Sequence, residues 1–332
     1  MAKSTVLHIT DGESVAGTLR ESDVRGDVGI YGDLMYEGPA PAGLGTEGWR
    51  EIRAQFHADV RGRTLEEARR YLGAFEETLA AVSRHDETVL WLDHRLSDQL
   101  ILIKALDWFS RLHLDRATVS LICVGGYAGI SRFVGLGQLT AGQLASLADT
   151  RLRVSDDQFR LARAAWSAFT SPEPKAIERV IESDTSALPF LGAALRRHLQ
   201  QFPSVDNGLS RTERQTLTVL RDHGSLPVKR LFPAVQRMED PLFMGDISFL
   251  HILVDLACAR CPLIQTEDAS RFGLGDSAMT TPVWITEAGL RVLDGRDDHV
   301  RLNGIDKWLG GVHLKGGDAA WRWDRVGARL VS

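Results

Sequence analysis

The feature that most constrains the fold is an alternation of strand-like and helix-like segments through residues 1–125. Short runs rich in apolar and β-branched residues alternate with amphipathic segments that are long enough to form helices. A parallel pair of strands needs a long crossover, usually a helix, so this order predicts βαβ units and a mainly parallel sheet. We therefore predict a Rossmann-like α/β domain over residues 1–135, with strands at 5–10, 27–33, 87–92 and 118–124.

Helical signals dominate from residue 136 onward. Thr140, Ser155 and Ser210 are each followed three positions later by Gln or Glu, which is the capping-box pattern of a helix start. A polar cluster of turn-forming residues at 203–208 marks a boundary between two regions. The pattern predicts a helical linker domain over 136–207 and a third domain over 208–332.

The third domain is predicted to be a winged-helix-like α+β unit. Three helices are expected before two short strands, at 262–266 and 282–285, and we expect the Trp-rich tail at 308–323 to pack on this same unit. The third helix, 246–259, holds no Lys or Arg, and acidic and basic residues balance over 209–332. Proteins that read DNA normally place cations against phosphates, so the charge pattern favours a protein partner while leaving DNA open.

Charge and composition exclude several classes of protein. A formal net charge of −5 argues against a surface built for non-specific nucleic-acid binding. No run approaches the roughly 18 consecutive apolar residues of a membrane span, and no apolar leader opens the sequence. Three cysteines are too few for a disulfide framework and fit a reducing compartment. We expect a cytoplasmic protein with no membrane partner.

Polar and ionisable residues follow every predicted strand of the N-terminal sheet. In an open parallel sheet, ligands bind beyond the carboxyl ends of the strands, where the strand order reverses. The pattern therefore predicts a small-molecule site at this edge of the sheet. The candidate residues, in chain order, are His8, Asp11, Ser14, Asp33, His94, Asp98, Gln99 and Arg132.

The predicted catalytic residues are His8, His94 and Asp98. Imidazole titrates near neutrality, which suits a general base, and Asp98 falls on the same helical face as His94. The other five candidates are predicted to bind the ligand. Structural alternatives stay open: His8 lies in an apolar run that could simply bury it, and Asp11 and Ser14 are common N-cap residues.

The sequence contains none of the motifs that would name a reaction. It has no HExxH motif and no Cys/His array, so no metal is predicted. The GxGxxG and Walker fingerprints are also missing, and no serine lies in GxSxG, so cofactor, reaction and oligomeric state stay open. The first hypothesis is an enzyme of hydrolase or transferase type that acts on a small polar or phosphorylated ligand. The alternative is a non-catalytic regulator that senses a ligand and binds a protein or DNA partner.

Three segments of the chain carry a family resemblance. Leu7-His-Ile-Thr-Asp-Gly-Glu-Ser14, Gly32-Asp-Leu-Met-Tyr-Glu-Gly-Pro39 and Leu90-Trp-Leu-Asp-His-Arg-Leu-Ser-Asp-Gln-Leu100 resemble the bacterial family catalogued as domain of unknown function 1835. The resemblance continues at 133–139, 208–214 and 303–314, and so covers most of the chain. It implies no particular activity.

The chain matches this family pattern at most of the candidate site residues and departs from it at a few positions. Asp11 stands where the family usually has Asn, and Arg95 stands where an acidic residue is common. A positive charge at Arg95 would weaken a cation site built around His94. The candidates that match the pattern are His8, Ser14, Asp33, His94, Asp98 and Gln99.

Overall fold

The protein is mixed α/β, with a largely parallel sheet, several smaller sheets and many helices. A computed structural model describes residues 5–112, 118–242, 244–267 and 276–332. The strands are β1 (Val6–Thr10), β2 (Asp27–Ile30), β3 (Gly38–Pro39), β4 (Glu87–Asp93), β5 (Thr118–Val124), β6 (Leu152–Arg153), β7 (Leu226–Pro227), β8 (Ile264–Thr266), β9 (Pro282–Ile285), β10 (Ile305–Gly310), β11 (Val312–Gly316), β12 (Arg322–Asp324) and β13 (Arg329–Val331).

Helices connect and cover these strands. They are α1 (Glu13–Arg20), α2 (Thr46–Arg61), α3 (Leu65–Ala80), α4 (Leu96–Phe109), α5 (Ala141–Leu147), α6 (Asp156–Thr170), α7 (Lys175–Glu182), α8 (Leu191–Leu199), α9 (Arg211–His223), α10 (Val228–Gln236), α11 (Asp246–Cys258), α12 (Asp276–Thr280), α13 (Glu287–Leu293) and α14 (His299–Asn303).

The largest sheet has the strand order β2-β1-β4-β5-β6. The first four of these strands run parallel, and β6 joins the edge antiparallel to β5. The predicted parallel sheet is therefore confirmed. The chain passes from β1 to β2 on one side and later returns to β4 on the other, so the strand order reverses between β1 and β4.

Alternation along the strands divides the core into two faces. Leu7 and Ile9 of β1 lie in the large core that α4 also helps to form. Trp91 of β4 lies in a smaller core on the opposite face, with Val15 of α1. Successive strand residues point to opposite faces, so this separation follows from the period of two. Helix α4 packs against the sheet and against α6 and α8, which explains its nearly continuous apolar sequence.

The helical region after residue 136 shares its core with the sheet. Capping boxes open α5, α6 and α9 at Thr140, Ser155 and Ser210, as predicted. Phe169 and Leu195, from α6 and α8, lie in the same buried cluster as Leu100 of α4. The boundaries at residues 135 and 207 stay predictions.

Residues 209–293 form a separate hydrophobic core around α9, α10 and α11. Strands β8 and β9 follow these helices and pair antiparallel, with β7 on the other side of β9. The predicted order of helices and strands is therefore present. Most of the loop expected between the two strands, residues 268–275, lies outside the described residues.

The C-terminal tail corrects one expectation from the sequence. Strand β10 pairs parallel with β3, and Leu309 lies in the core of the N-terminal half, whereas packing on the C-terminal unit alone was expected. Glycine makes the contact possible: a Cβ on Gly311 would lie 1.9 Å from the Thr170 carbonyl oxygen. The amide of Gly311 donates to the Phe169 carbonyl at 2.9 Å. Backbone contacts therefore anchor the tail on α6, and the tryptophans in the sequence did not indicate these contacts.

Candidate functional site

A charged cluster occupies the point where the strand order reverses. The Arg95 guanidinium contacts Asp11 at 3.0 Å, Asp93 at 2.8 Å and Asp98 at 3.0 Å. Asp11 follows β1, Asp93 ends β4, and Asp98 lies in the first turn of α4. We call these four residues the switch-point cluster. The sequence predicted Asp11 and Asp98 here, and the structure brings them together.

The groups of the switch-point cluster are already bound within the protein. The amide of Leu136 donates to Asp93 Oδ2 at 2.9 Å, and Ser97 Oγ donates to Asp98 at 3.1 Å. Gly135 has φ +133° and passes so close that a Cβ there would meet Arg95 Nε at 2.7 Å. The loop after β5 thus packs against the cluster, in which Asp93 and Asp98 are buried while the side chains of Arg95 and Asp11 are 22% and 19% exposed.

Three carboxylates facing one guanidinium shift the acid–base equilibrium of the cluster. Burial and the neighbouring Asp11 raise the pKa of Asp98 well above its ordinary value, although Arg95 opposes the shift. Burial also raises the pKa of Asp11, again against Arg95. The excess of acid over base therefore favours retention of a proton in the cluster.

His8 lies away from this cluster, on the face of the sheet that α1 covers. Trp91 Nε1 donates to His8 Nδ1 at 2.9 Å, so His8 Nε2 carries the hydrogen and faces the Arg25 carbonyl at 3.3 Å. Burial lowers the pKa of His8. Both nitrogens are in use and the ring is neutral, which fits the structural alternative and leaves no free base.

Asp33 belongs to a different buried group. Its carboxylate accepts from Arg53 at 2.6 and 3.0 Å and contacts His57 at 3.2 Å. Burial opposes ionisation, but Arg53 and His57 hold the pKa of Asp33 well below its ordinary value. Arg53 also donates to the Glu37 carbonyl at 2.6 Å, so the pair fixes the chain after β2.

The remaining candidates occupy separate places. The His94 ring stacks on Phe133 with centroids 5.7 Å apart, and burial lowers its pKa. Gln99 donates to the Asp93 carbonyl at 2.7 Å, beneath the switch-point cluster. Ser14 approaches Gly137, where an added Cβ would lie 3.0 Å from Ser14 Oγ. Arg132 instead reaches the Gln236 carbonyl at 2.9 Å.

The structure therefore corrects the expectation that the candidate residues at the edge of the sheet lie together: His8, Asp33, His94 and Asp98 do not converge around one cleft. His8 points to the α1 face because strand residues alternate, and Asp33 turns toward α2 because Arg53 binds it there. Asp98 lies in the switch-point cluster and His94 lies beside it, at the end of β4. The catalytic and ligand-binding roles of these residues stay predictions.

The open space lies elsewhere, beside the carboxyl end of β2. A cavity of about 550 Å³ is enclosed by α2, α3, α4, α6 and the loop over 41–45. We call it the Lys104 cavity. Among the residues that line it are Tyr31, Trp49, Glu76, Lys104, Trp108 and Trp166.

Lys104 extends from the middle of α4 into an aromatic enclosure. Its Nζ lies 3.8 Å from the ring centroid of Trp49 and 5.6 Å from those of Tyr31 and Trp166. Within the described part of the chain, no oxygen forms a hydrogen bond or ion pair with this amine. Burial lowers the pKa of Lys104 to about 7, although Asp33 favours the charged form.

Other polar groups around the Lys104 cavity separate into paired and unpaired sets. Glu76 binds Arg50 at 3.0 Å, and Asp107 binds Arg111 at 2.6 Å, so both acids have their own cations. By contrast, the hydroxyl of Tyr31 and the Nε1 of Trp108 are buried with no hydrogen-bond partner among the described residues. Buried polar groups are rarely left unpaired, so these two atoms are donors whose hydrogen-bonding capacity is unused within the described residues.

Sequence reasoning pointed to the correct edge of the sheet and to Asp33, which lines this cavity, but it missed Lys104 and the cavity itself. The signal was a single lysine within the mostly apolar segment 100–109, since lysine is mostly found exposed to water. The cavity itself depends on four helices meeting, which no local pattern encodes.

Comparisons with known proteins add little to this geometry. No family model matches the chain, and no curated protein matches its sequence. Among solved structures the chain is similar to the DNA-binding, cleavage and re-ligation domain of topoisomerase II from Plasmodium falciparum, at 10% identity and a TM-score of 0.42. The match covers 86% of this chain and 48% of that one, so the chain spans about half of it. At this identity and TM-score, the likeness does not indicate a fold or a function for this protein.

Two further properties bear on possible ligands and surroundings. No helix in the described ranges is long and apolar enough to cross a bilayer. Over the same ranges, no group of three or more His, Cys, Asp or Glu side chains is arranged to hold a metal ion. At the switch-point cluster, the position a cation would take is filled by Arg95.

Proposed function

We propose that this protein is an enzyme that binds a small polar ligand in the Lys104 cavity. The observation that carries the proposal is an amine without a polar partner inside a cavity of about 550 Å³. Cavities of roughly 300–1,000 Å³ with apolar walls and a few converging polar groups are typical of small-molecule sites. Lys104 is the group that would act on the ligand.

The surroundings of Lys104 favour a catalytic role for this residue over a purely structural one. A structural lysine normally extends its ammonium to water or to a carboxylate, whereas Lys104 faces tryptophan rings. Perturbed titratable groups in clefts are common at catalytic sites, because a base or nucleophile works best near the ambient pH. The ligand is expected to have a flat apolar part for the aromatic walls and a polar group for the amine.

The broader assignments belong to the same proposal. The sheet and helices of residues 1–135 support a Rossmann-like domain, and α9–α11 with β8 and β9 support a winged-helix-like unit. The bacterial family of unknown function 1835 and a cytoplasmic location are proposed on the sequence alone. The ligand site then lies at the carboxyl edge of the sheet, beside β2.

A second candidate function is a regulator that responds to the same ligand. Its support is a contact between units: Ser248 of α11 lies 3.1 Å from the Tyr36 hydroxyl and accepts from Arg61 at 3.0 Å. Helix α11, the third helix of the winged-helix-like unit, thus packs partly on the N-terminal half. This contact favours communication within the molecule over nucleic-acid binding.

A thermal-shift screen with matched variants tests the proposal. Nucleotides, sugar phosphates, small carboxylic acids and small carbonyl compounds would be added to the wild type, Lys104→Met and Lys175→Met. Lys175 is an exposed lysine 5.4 Å from the Trp321 ring, so its loss removes a comparable cation–aromatic contact away from the cavity. We expect a ligand that stabilises the wild type and Lys175→Met but not Lys104→Met, since a ligand raises stability only where it binds. Equal shifts in all three proteins would contradict the site.

A further inference from the structure

We propose that Lys104 forms an imine with a small aldehyde or ketone whose flat apolar body lies against the tryptophans that line the Lys104 cavity. This inference rests on the proposed function for the location of the site, and it adds the substrate class and the covalent step. Three features support it: the unpartnered amine, the shape of the enclosure and the unpaired Tyr31 hydroxyl.

The amine is placed as a nucleophile requires. The Lys104 Nζ is held against Trp49. The acids that line the cavity, Asp33, Glu76 and Asp107, are each bound to an arginine. A carboxylate in direct contact would keep the amine protonated and its lone pair unavailable. Burial lowers the pKa of Lys104 to about 7, so roughly half of the molecules carry a neutral amine at pH 7.

The walls indicate the shape of the substrate. Trp49 and Trp166 have ring centroids 5.4 Å apart, with an interplanar angle of 58°, and both line the cavity. Such faces suit an aromatic or otherwise flat carbonyl compound better than a bare phosphate, which needs several cationic or amide donors. Arg50 and Arg111 are already occupied by carboxylates.

The bond changes balance without a further reagent. The neutral Nζ attacks the carbonyl carbon, a C–N bond forms, and a proton moves from nitrogen to oxygen to give a carbinolamine. The C–O bond then breaks, water leaves, and a C=N bond joins Lys104 to the substrate. The Tyr31 hydroxyl, which lacks a partner among the described residues, can donate a hydrogen bond to the oxygen that becomes the leaving water.

Reductive trapping of the wild-type protein tests the inference. Benzaldehyde and sodium cyanoborohydride would be added at pH 7, and benzylation of each lysine would be followed by peptide mass spectrometry. The exposed lysines Lys175, Lys229 and Lys315 serve as internal references. An ordinary lysine is neutral in roughly one molecule per thousand at this pH, so we expect Lys104 to react at least about tenfold faster.

Tyr31→Phe examines the proton donor. It removes only the hydroxyl, and we expect benzylation of Lys104 to slow by about fivefold to tenfold, as for the loss of one hydrogen bond of ordinary strength. The rate at Lys229 should not change. An unchanged rate at Lys104 would remove Tyr31 from the mechanism.

The outcomes separate this inference from the proposed function. If Lys104 reacts no faster than Lys229 while a non-carbonyl ligand still stabilises the wild type through Lys104, imine formation is overturned and the site survives. If no compound binds and Lys104 is unreactive, both proposals fail. Rapid trapping at Lys104, slowed by a ligand from the thermal-shift screen, supports both.

Discussion

The switch-point cluster and the Lys104 cavity place charged groups in opposite circumstances. In the cluster, three carboxylates share Arg95, and the loop carrying Gly135 and Leu136 closes over them. In the Lys104 cavity, the amine of Lys104 and the buried hydroxyl of Tyr31 have no polar partner among the described residues. The cluster thus holds many charged groups that are paired with one another, whereas the cavity holds a few polar groups that are unpaired.

The contrast teaches that polar residues at the end of a strand do not by themselves make a ligand site. Polar groups that already bind one another contribute little free energy to ligand binding, because the ligand would have to replace existing hydrogen bonds. Unpaired polar groups beside a cavity contribute the most, because their burial without a hydrogen bond is costly.

The largest effect is expected for Arg95→Met. Removal of the guanidinium leaves buried carboxylates without a cation, which typically costs about 3–5 kcal/mol of unfolding free energy. The loss should shrink as the pH falls, because protonation of Asp11 and Asp98 removes the repulsion. Urea unfolding at pH 5 and pH 8 measures both effects. Arg69→Met is the control: Arg69 pairs with Glu51 on the surface, and its loss should cost less than about 1 kcal/mol. Equal costs for the two variants would mean that the cluster does not need its arginine.

A smaller loss is expected for Gly311→Ala, which tests how the tail is anchored. An added Cβ would lie 1.9 Å from the Thr170 carbonyl oxygen, so the backbones must separate, at a cost of about 2–3 kcal/mol. Gly317→Ala is the matched control, because no atom lies within 4 Å of its added Cβ. Thermal unfolding of the two variants gives the comparison. If Gly311→Ala melted with the control, close packing of the tail on α6 would be refuted.

Lys104→Met should stabilise the protein near neutral pH. The folded-state pKa of about 7 is below the unfolded value of roughly 10.4, so the unfolded chain binds more protons between these limits. Wild-type stability therefore gains with rising pH across this window, while the variant lacks that gain. We expect the advantage of Lys104→Met in unfolding free energy to shrink by about 3–4 kcal/mol between pH 7 and pH 10, since one pKa unit is worth about 1.4 kcal/mol. Chemical denaturation across this window is the measurement. A pH-independent difference would argue against a desolvated amine.

The smallest effect is expected for His94→Ala. The ring stacks on Phe133, and loss of this contact should cost about 1 kcal/mol or less. A larger loss in urea unfolding would place His94 among the structural residues. Phe190→Leu, which alters the other aromatic neighbour of His94, separates loss of the imidazole from loss of packing.

The sequence predicted the elements whose signals are local. Short runs rich in apolar and β-branched residues mark β1 and β4, and a hydroxyl followed three positions later by Gln or Glu marks the starts of α5, α6 and α9. The parallel sheet followed from these elements, because helices of that length impose crossovers. Asp11 and Asp98 were placed at the correct edge by the same logic.

Two features could not be predicted because they arise between distant segments. The two-residue strand β3 has no pattern of its own and exists only because β10 pairs with it. Asp33 binds Arg53 of α2, and Lys104 lies against Trp49 of the same helix, so the surroundings of both depend on how α2 packs on the sheet. A polar residue reveals its chemistry only when its neighbours are known.

The pairing of β3 with β10 has a consequence for the order in which the Lys104 cavity is assembled. The amide of Ala40 donates to the Gly310 carbonyl at 2.9 Å, and the next residues, Pro41 and Ala42, begin the cavity wall. That wall is fastened by a segment from the far end of the sequence, and contacts of such separation form slowly. In the full chain, we therefore expect completion of the cavity wall to be among the last events of folding. A shortened chain that stopped before residue 305 would keep Lys104 but lose the strand that anchors one side of the cavity.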